Sequence, residues 1–308
     1  MADHKKKKKT SRWAYAFMAL GFLAGLGILL YPTISDLWNN YRNQQLISEY
    51  SSAVEELEPE DYTELWEEAR AYNQEHRVNT IMDAFDQEKG DYVLSHPYDQ
   101  ILNPMGNEIM GYVEIPKINV RLAIYHGVGA EALENGCGHI EGTSLPIGGV
   151  GNHAALSAHR GLPSAKLFTD LDQLEEGDLF LIRVLDEVLA YRVDQILTVL
   201  PQETEALAIQ EDKDLVTLVT CTPYGVNSHR LLVRGVRTEY QEEDEKEQGS
   251  GIVLRNPLEG TSRKQKLLVT ALLAFLVFLF LLGLLLKLSD RRKRKRAEGE
   301  KKKQEKGD

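Results

Sequence analysis

Hydrophobic positions along the chain fall into three regimes. Residues 14–34 and 267–287 contain the runs AYAFMALGFLAGLGILLY and LLVTALLAFLVFLFLLGLLL, neither of which carries a charged side chain. Both predict transmembrane helices, the second long enough to cross a hydrocarbon core of roughly 30 Å. The first has Trp13, Tyr31 and Trp38 at its edges as interfacial aromatics. No small-residue cleavage site follows it, so a retained anchor is expected rather than a removed signal peptide. Over residues 35–77, Leu37, Tyr41, Leu46, Tyr50, Val54 and Leu57 recur at helical spacing. Pro59 interrupts, and Tyr62, Leu65, Trp66 and Ala69 resume the stripe. Residues 78–105 lose this periodicity, gather Asp, Gly, Asn and Pro, and predict a long loop of the kind that covers a functional site.

From residue 106 to 238 the pattern changes to short runs rich in Val, Ile, Leu and Tyr, separated by Gly, Pro, Asn and Asp. MGYVEIPKI, VRLAIYHG, HAALSAH, DLFLIRVL, VLAYRVDQILTVL, DLVTLVT and RLLVRGVR each predict a strand, with a hairpin tip at residues 185–188. A short helix is expected over SAKLFTDLDQL, with Ser164 as its N-cap. Strands in this number without a βαβ repeat predict a mainly β domain, a barrel or a sandwich. Residues 239–266 form an acidic, flexible spacer, and residues 1–13 and 288–308 are basic tails.

Charge sharpens this picture. The 308-residue chain has a net charge of -11, yet KKKKK at residues 5–9 and RRKRKR at 291–296 are concentrated beside the two apolar runs. Positive flanks remain in the cytoplasm. The expected arrangement is therefore a two-pass membrane protein with both termini cytoplasmic and an extracytoplasmic domain between them. Residues 13–286 hold 19 Lys and Arg against 41 Asp and Glu. Such a segment is repelled by phosphate backbones, which excludes nucleic acid as a partner. With no phosphate-binding glycine loop and no metal-ligand spacing, neither a cofactor nor a metal is expected.

Candidate chemistry centres on TLVTCTPYGVNSHRLLVRG, residues 217–235. The chain has two cysteines, Cys137 and Cys221. On an oxidising cell face a disulfide, an inert buried thiol and a reactive thiol are all open. Cys221 ends one apolar run and Arg230 starts the next. If those runs pair as a hairpin, thiol and guanidinium meet at one end of two adjacent strands. A neighbouring cation favours thiolate, the attacking form. Arg also donates several hydrogen bonds to an oxygen that is gaining negative charge. A thiol enzyme further needs a proton acceptor and donor. His159, at the end of the HAALSAH run, is the favoured candidate, with His229 and His153 as rivals.

TLVTCTPYGVNSHRLLVRG resembles the signature of sortases, and LSAHRGLPSAKLF with GHIEGTSLPIGG upstream resembles the segment of that family that supplies the catalytic histidine. The resemblance implies a closed β-barrel and a cysteine transpeptidase that cuts an LPxTG-like sorting signal between Thr and Gly, holds the acyl group as a thioester and passes it to an amine. It also implies Cys221 as nucleophile, His159 as general acid and base, and Arg230 as stabiliser of substrate and oxyanion. Cys137 lies where the family assigns no catalytic role, and reads as a free or buried thiol. Two spans, the TCTPYGVNSHRLLVRG wording and the long segment before the barrel resemble the pilin-polymerising class C group of Gram-positive bacteria. In that group the partners are pilin subunits with LPxTG-like signals, and the acceptor is a pilin lysine.

That group carries a lid with an Asp-Pro-aromatic motif over its site. The nearest match is Asp83-Ala84-Phe85, with alanine in place of proline. Asp83 is expected to face Arg230 and Phe85 to cover Cys221. Loss of a fixed φ predicts a lid more mobile than the group's norm, by roughly 0.4 to 1 kcal/mol. The competing readings are a sortase that attaches proteins to cell-wall precursors, a non-catalytic pilus assembly factor, and a papain-like hydrolase, which fits the β-rich pattern least.

Overall fold

A computed structural model describes residues 12–75, 83–87 and 97–241, with Leu276 and Phe280. Two compact units divide the chain, Met1–Ile252 and Val253–Asp308, and the fold described below belongs to the first.

Eight strands close into a barrel: β1 (Ile109–Ile115), β2 (Val120–Tyr125), β3 (Cys137–His139), β4 (Asn152–Ser157), β5 (Leu179–Val184), β6 (Glu187–Val199), β7 (Asp214–Thr222) and β8 (His229–Thr238). Their order around the barrel is β1-β2-β3-β4-β7-β8-β6-β5, closed by the pairing of β5 with β1. Most neighbours are antiparallel, but β2 with β3 and β4 with β7 are parallel. β7 lies between β4 and β8, and its residues 214–221 are all buried, so it reads as a nearly continuous apolar run rather than an alternating one. Inside the barrel, Phe180 and Tyr191 stack at 5.6 Å. Gly235 faces them, and a Cβ there would lie 2.6 Å from the Phe180 ring, so only glycine lets β8 pass.

Helices brace one side. α1 (Arg12–Glu55) and α2 (Pro59–Glu75) precede the barrel. The buried stripe of α1 is Asn43, Ile47, Tyr50 and Val54, at spacings of three and four, whereas Leu37 and Tyr41 of the expected stripe are exposed. Docking uses polar side chains that complete backbone ladders. Asn43 accepts from Ala123 N on β2 at 3.2 Å and donates to Asn135 O at 2.6 Å. Tyr50 Oη accepts from Leu185 N at 2.8 Å and donates to Met110 O at 3.0 Å. Asn73 of α2 accepts from Leu145 N at 2.7 Å and donates to Leu145 O at 3.2 Å. Each satisfies strand or loop groups that burial would otherwise leave unpaired.

Two expectations are corrected. Among the described residues no helix is long and apolar enough to cross a membrane, against the two transmembrane helices read from the sequence. α1 carries the first apolar run and continues as helix past Pro32 into the polar residues Ser35 and Asp36. The second run, 267–287, lies outside the described residues apart from Leu276 and Phe280. The helix expected after Ser164 is instead a series of turns ending in a 3-10 turn, Leu171–Gln173. Asp36 of α1 accepts the Lys166 amide at 2.7 Å, and Leu167 adopts a left-handed φ of 42°, which breaks helical continuation.

Candidate active site

β7 and β8 form a hairpin in which Cys221 is paired directly with Arg230 and Thr222 with His229. Directly opposed residues hold their Cβ atoms about 5 Å apart, so thiol and guanidinium leave the same end of the barrel together. Both residues are buried, at 5% and 6% exposure. Arg230 is held from its own loop as well, donating through Nη1 to the carbonyls of Asn227 and His229, each at 3.2 Å.

β4 brings the histidine. It runs parallel to β7 with Ser157 beside Val219. Beyond the strand the pairing continues: Ala158 N donates to Val219 O at 3.2 Å, and Thr220 Oγ1 donates to Ala158 O at 2.7 Å. Extending this register by one more residue sets His159 level with Cys221. The other two histidines read as rivals are placed differently. His153 is buried, with its ring nitrogens 2.9 Å from Ala208 O and 2.7 Å from Thr217 Oγ1, and burial lowers its pKa. His229 is half-buried, with Nδ1 2.9 Å from Ser228 Oγ.

Residues 83–87 close over this end. Asp83 takes both donors of one edge of Arg230, Nε at 2.7 Å and Nη2 at 2.6 Å, in a fork-to-fork pair whose side chains are each 8% exposed. An Asp just before a helix ordinarily caps it; here both oxygens of Asp83 face Arg230 while α3 (Ala84–Gln87) begins. Phe85, 4% exposed, joins the apolar cluster that contains Cys221, Val219 and Leu232. Its ring lies 4.9 Å from the Arg230 guanidinium carbon and 5.4 Å from the His159 ring. A cavity of about 20 Å³ remains between Asp83, Ala84, Val199, Thr204, Leu207 and Arg230, room for about one water. Burial works to lower the Arg230 pKa, but the Asp83 hydrogen bonds and the charge of Cys221 outweigh it, and the guanidinium is held above its ordinary value.

Cys137 stands apart. It is fully buried in β3, no disulfide joins it to Cys221, and burial pushes its thiol up. The geometry therefore brings Cys221, His159, Arg230, Asp83 and Phe85 to one barrel end. Arg160 and Thr222 adjoin them and went unread as functional; the only sequence signal was their adjacency to His159 and Cys221. Thr204 and Leu207, which line the residual cavity, also went unread, with no sequence signal to mark them.

Comparison with known proteins agrees with this geometry. A family model for the sortase domain matches residues 113–238. Sortase D of Bacillus subtilis is 29% identical over 137 residues, 44% of this chain and 66% of its own length. The chain spans about two thirds or less of the length of the curated relatives it matches. Among solved structures, sortase C of Streptococcus pneumoniae, reported in connection with its pilin substrate specificity, is 43% identical with a TM-score of 0.58, covering 64% of this chain and 97% of that one. Sortase C1 of Streptococcus agalactiae is 43% identical with a TM-score of 0.57, covering 64% of this chain and 95% of that one. With a closed eight-stranded barrel and these relatives, the chain belongs to the sortase family of cysteine transpeptidases, in its class C.

Proposed function

We propose that the protein cleaves an LPxTG-like sorting signal and transfers the acyl fragment to a lysine amine of a pilin subunit, with Asp83 and Phe85 acting as a lid. The observation that carries the reading is the direct pairing of Cys221 with Arg230, with a carboxylate and an aromatic ring seated on the same groups. Similarity to a sortase C with a reported pilin substrate specificity supports the choice of pilin.

In the first half-reaction Cys221 Sγ attacks the signal's threonine carbonyl carbon. Arg230 donates to the oxygen that becomes negative, which lowers the barrier most when water is excluded. His159 gives a proton to the departing glycine amine as the C–N bond breaks, leaving a thioester. In the second, a neutral lysine amine attacks the thioester carbon, His159 takes the amine's proton, and the C–S bond breaks to return the thiolate. Asp83 occupies the donors of Arg230 that substrate needs, and Phe85 the apolar space beside Cys221, so substrate and lid compete for one position. An extracytoplasmic place for the barrel, where sorting signals are displayed, is part of the proposal.

Incubating the full chain with an LPxTG peptide and a lysine-bearing acceptor peptide tests this. Mass spectrometry is expected to find an amide joining the threonine carbonyl to the lysine amine, absent with Cys221→Ala. Hydrolysed peptide with no amide product rejects transfer, and product from Cys221→Ala rejects the nucleophile.

A further inference from the structure

Arg160 follows His159 directly, and its side chain is 9% exposed. Through Nη1 it donates to Thr222 Oγ1 at 3.2 Å, on the residue that follows Cys221, and through Nη2 it pairs with the half-exposed carboxylate of Asp172. One guanidinium thus ties the chain just after the histidine to the strand end just after the cysteine. A planar fork with donors on two edges can span two such acceptors; a lysine ammonium cannot hold both in one geometry.

The neighbouring contacts form a latch of which Arg160 is the outermost member. Ala158 is fixed to Val219 and Thr220 of β7, and the His159 carbonyl accepts from Phe168 N at 3.1 Å. Gly161 N donates to Thr169 Oγ1 at 3.1 Å. Gly161 has a φ of 80°, and a Cβ there would come within 3.0 Å of the Tyr224 ring, so this turn lies hard against the β7–β8 loop. Backbone contacts therefore fix residues 158, 159 and 161. Beyond them, the Arg160 side chain supplies a link from this turn to the end of β7. Arg160 Nε is buried with no acceptor.

We propose that Arg160 is a positioning residue for the reaction: its bond to Thr222 locks the segment bearing His159 against the strand end bearing Cys221. This rests on the reading of Cys221 and His159 given above. Arg160 touches neither substrate nor the reacting atoms; it sets the distance and angle across which the proton passes, and errors of about 1 Å in such geometry cost up to about a hundredfold in rate.

The test measures peptide-to-amine transfer in the full chain carrying Asp83→Ala, so that the lid does not limit turnover. Arg160→Gln and Thr222→Val are each expected to lower kcat by about tenfold to a hundredfold with KM within about twofold. Thr222→Ser, which keeps the hydroxyl, is expected to retain the parent kcat, and the Arg160→Gln, Thr222→Val double variant to lose no more than either alone. A lowered melting temperature with unchanged kcat would mark a merely structural contact and overturn the proposal, as would equal losses in Thr222→Ser and Thr222→Val. If Arg160→Gln does not fold, the Thr222 pair decides alone. Cys221→Ala in the same background separates the two levels. Residual transfer there rejects the underlying reading, whereas an inactive Cys221→Ala beside fully active Thr222→Val and Arg160→Gln rejects only the role of Arg160.

Discussion

At the scale of single residues, the proposed lid rests on the pair formed by Asp83 and Arg230. Both side chains are 8% exposed, so removing the carboxylate leaves a buried cation without its partner, at about 3 to 5 kcal/mol. The segment is then expected to lift. Asp83→Ala should react with a thiol reagent at Cys221 at least about tenfold faster than wild type, since each 1.4 kcal/mol is a factor of ten. An unchanged alkylation rate would mean that Phe85 packing alone keeps the site shut. Ala84 has the opposite potential. It is the first residue of α3, a position where proline's fixed φ is tolerated. Ala84→Pro is expected to favour the seated state by about 0.4 to 1 kcal/mol and slow alkylation about twofold to fivefold. Faster alkylation would show that the ring collides with the nearby groove wall.

At the scale of elements, α2 is held to the barrel by Asn73, which offers the Leu145 backbone both an acceptor and a donor. Asn73→Ala takes the partner from that amide and leaves the carbonyl to Ile147 N alone, and is expected to cost about 1 to 3 kcal/mol, read from urea unfolding. A loss below about 0.5 kcal/mol would mean that the helix docks by apolar contacts alone. These elements were unequally legible in the sequence. Strands β1, β2 and β5 to β8 stood out because each carries enough Val, Ile and Leu to mark a pattern, and β4 because its short apolar run lies between turn residues. β3 did not, because three residues, Cys137–His139, are too few for a period to register. The helix expected after Ser164 did not form because Leu167, in what would be its first turn, takes a left-handed φ of 42°. Cys221 and Arg230 were readable from hairpin spacing alone. Asp83 and Phe85 were reached only through family resemblance, since nothing local in their stretch shows what lies above or below it. The apolar run at 14–34 pointed to a membrane span on composition alone, and among the described residues no helix meets that expectation.

At the scale of the whole molecule, buried histidines tie stability to pH. His139 is enclosed by burial that lowers its pKa from 6.5 to about 4. His139 Nε2–H donates to Ser144 O at 2.8 Å, so in the neutral ring that burial favours Nδ1 accepts the Tyr98 hydroxyl proton at 2.7 Å, while Gly127 N donates to Tyr98 Oη at 2.9 Å. An unfolded chain takes up this proton below about pH 6.5 and the folded one resists until about pH 4, so stability is complete above 6.5 and declines as pH falls. At pH 5 the His139 contribution amounts to about 2 kcal/mol lost, with His153 acting in the same direction. Asp36 and Asp214, both raised by burial, act in the opposite sense and reduce the net loss. The melting temperature is expected to fall between pH 7 and pH 5; a constant or rising value would contradict the neutral assignment. Loop residues 97–105 share this network through Tyr98, so acid is expected to loosen the segment that follows the lid.

The central claim is that Cys221 is the nucleophile and that the Asp83 contact holds it in reserve. Its most direct test is the intact mass of the full chain after incubation with an LPxTG peptide and no amine acceptor. An acyl adduct on Cys221 is expected to be scarce in wild type, abundant in Asp83→Ala and absent in Asp83→Ala combined with Cys221→Ala. An adduct that persists without Cys221, or one no more abundant in Asp83→Ala than in wild type, would contradict it.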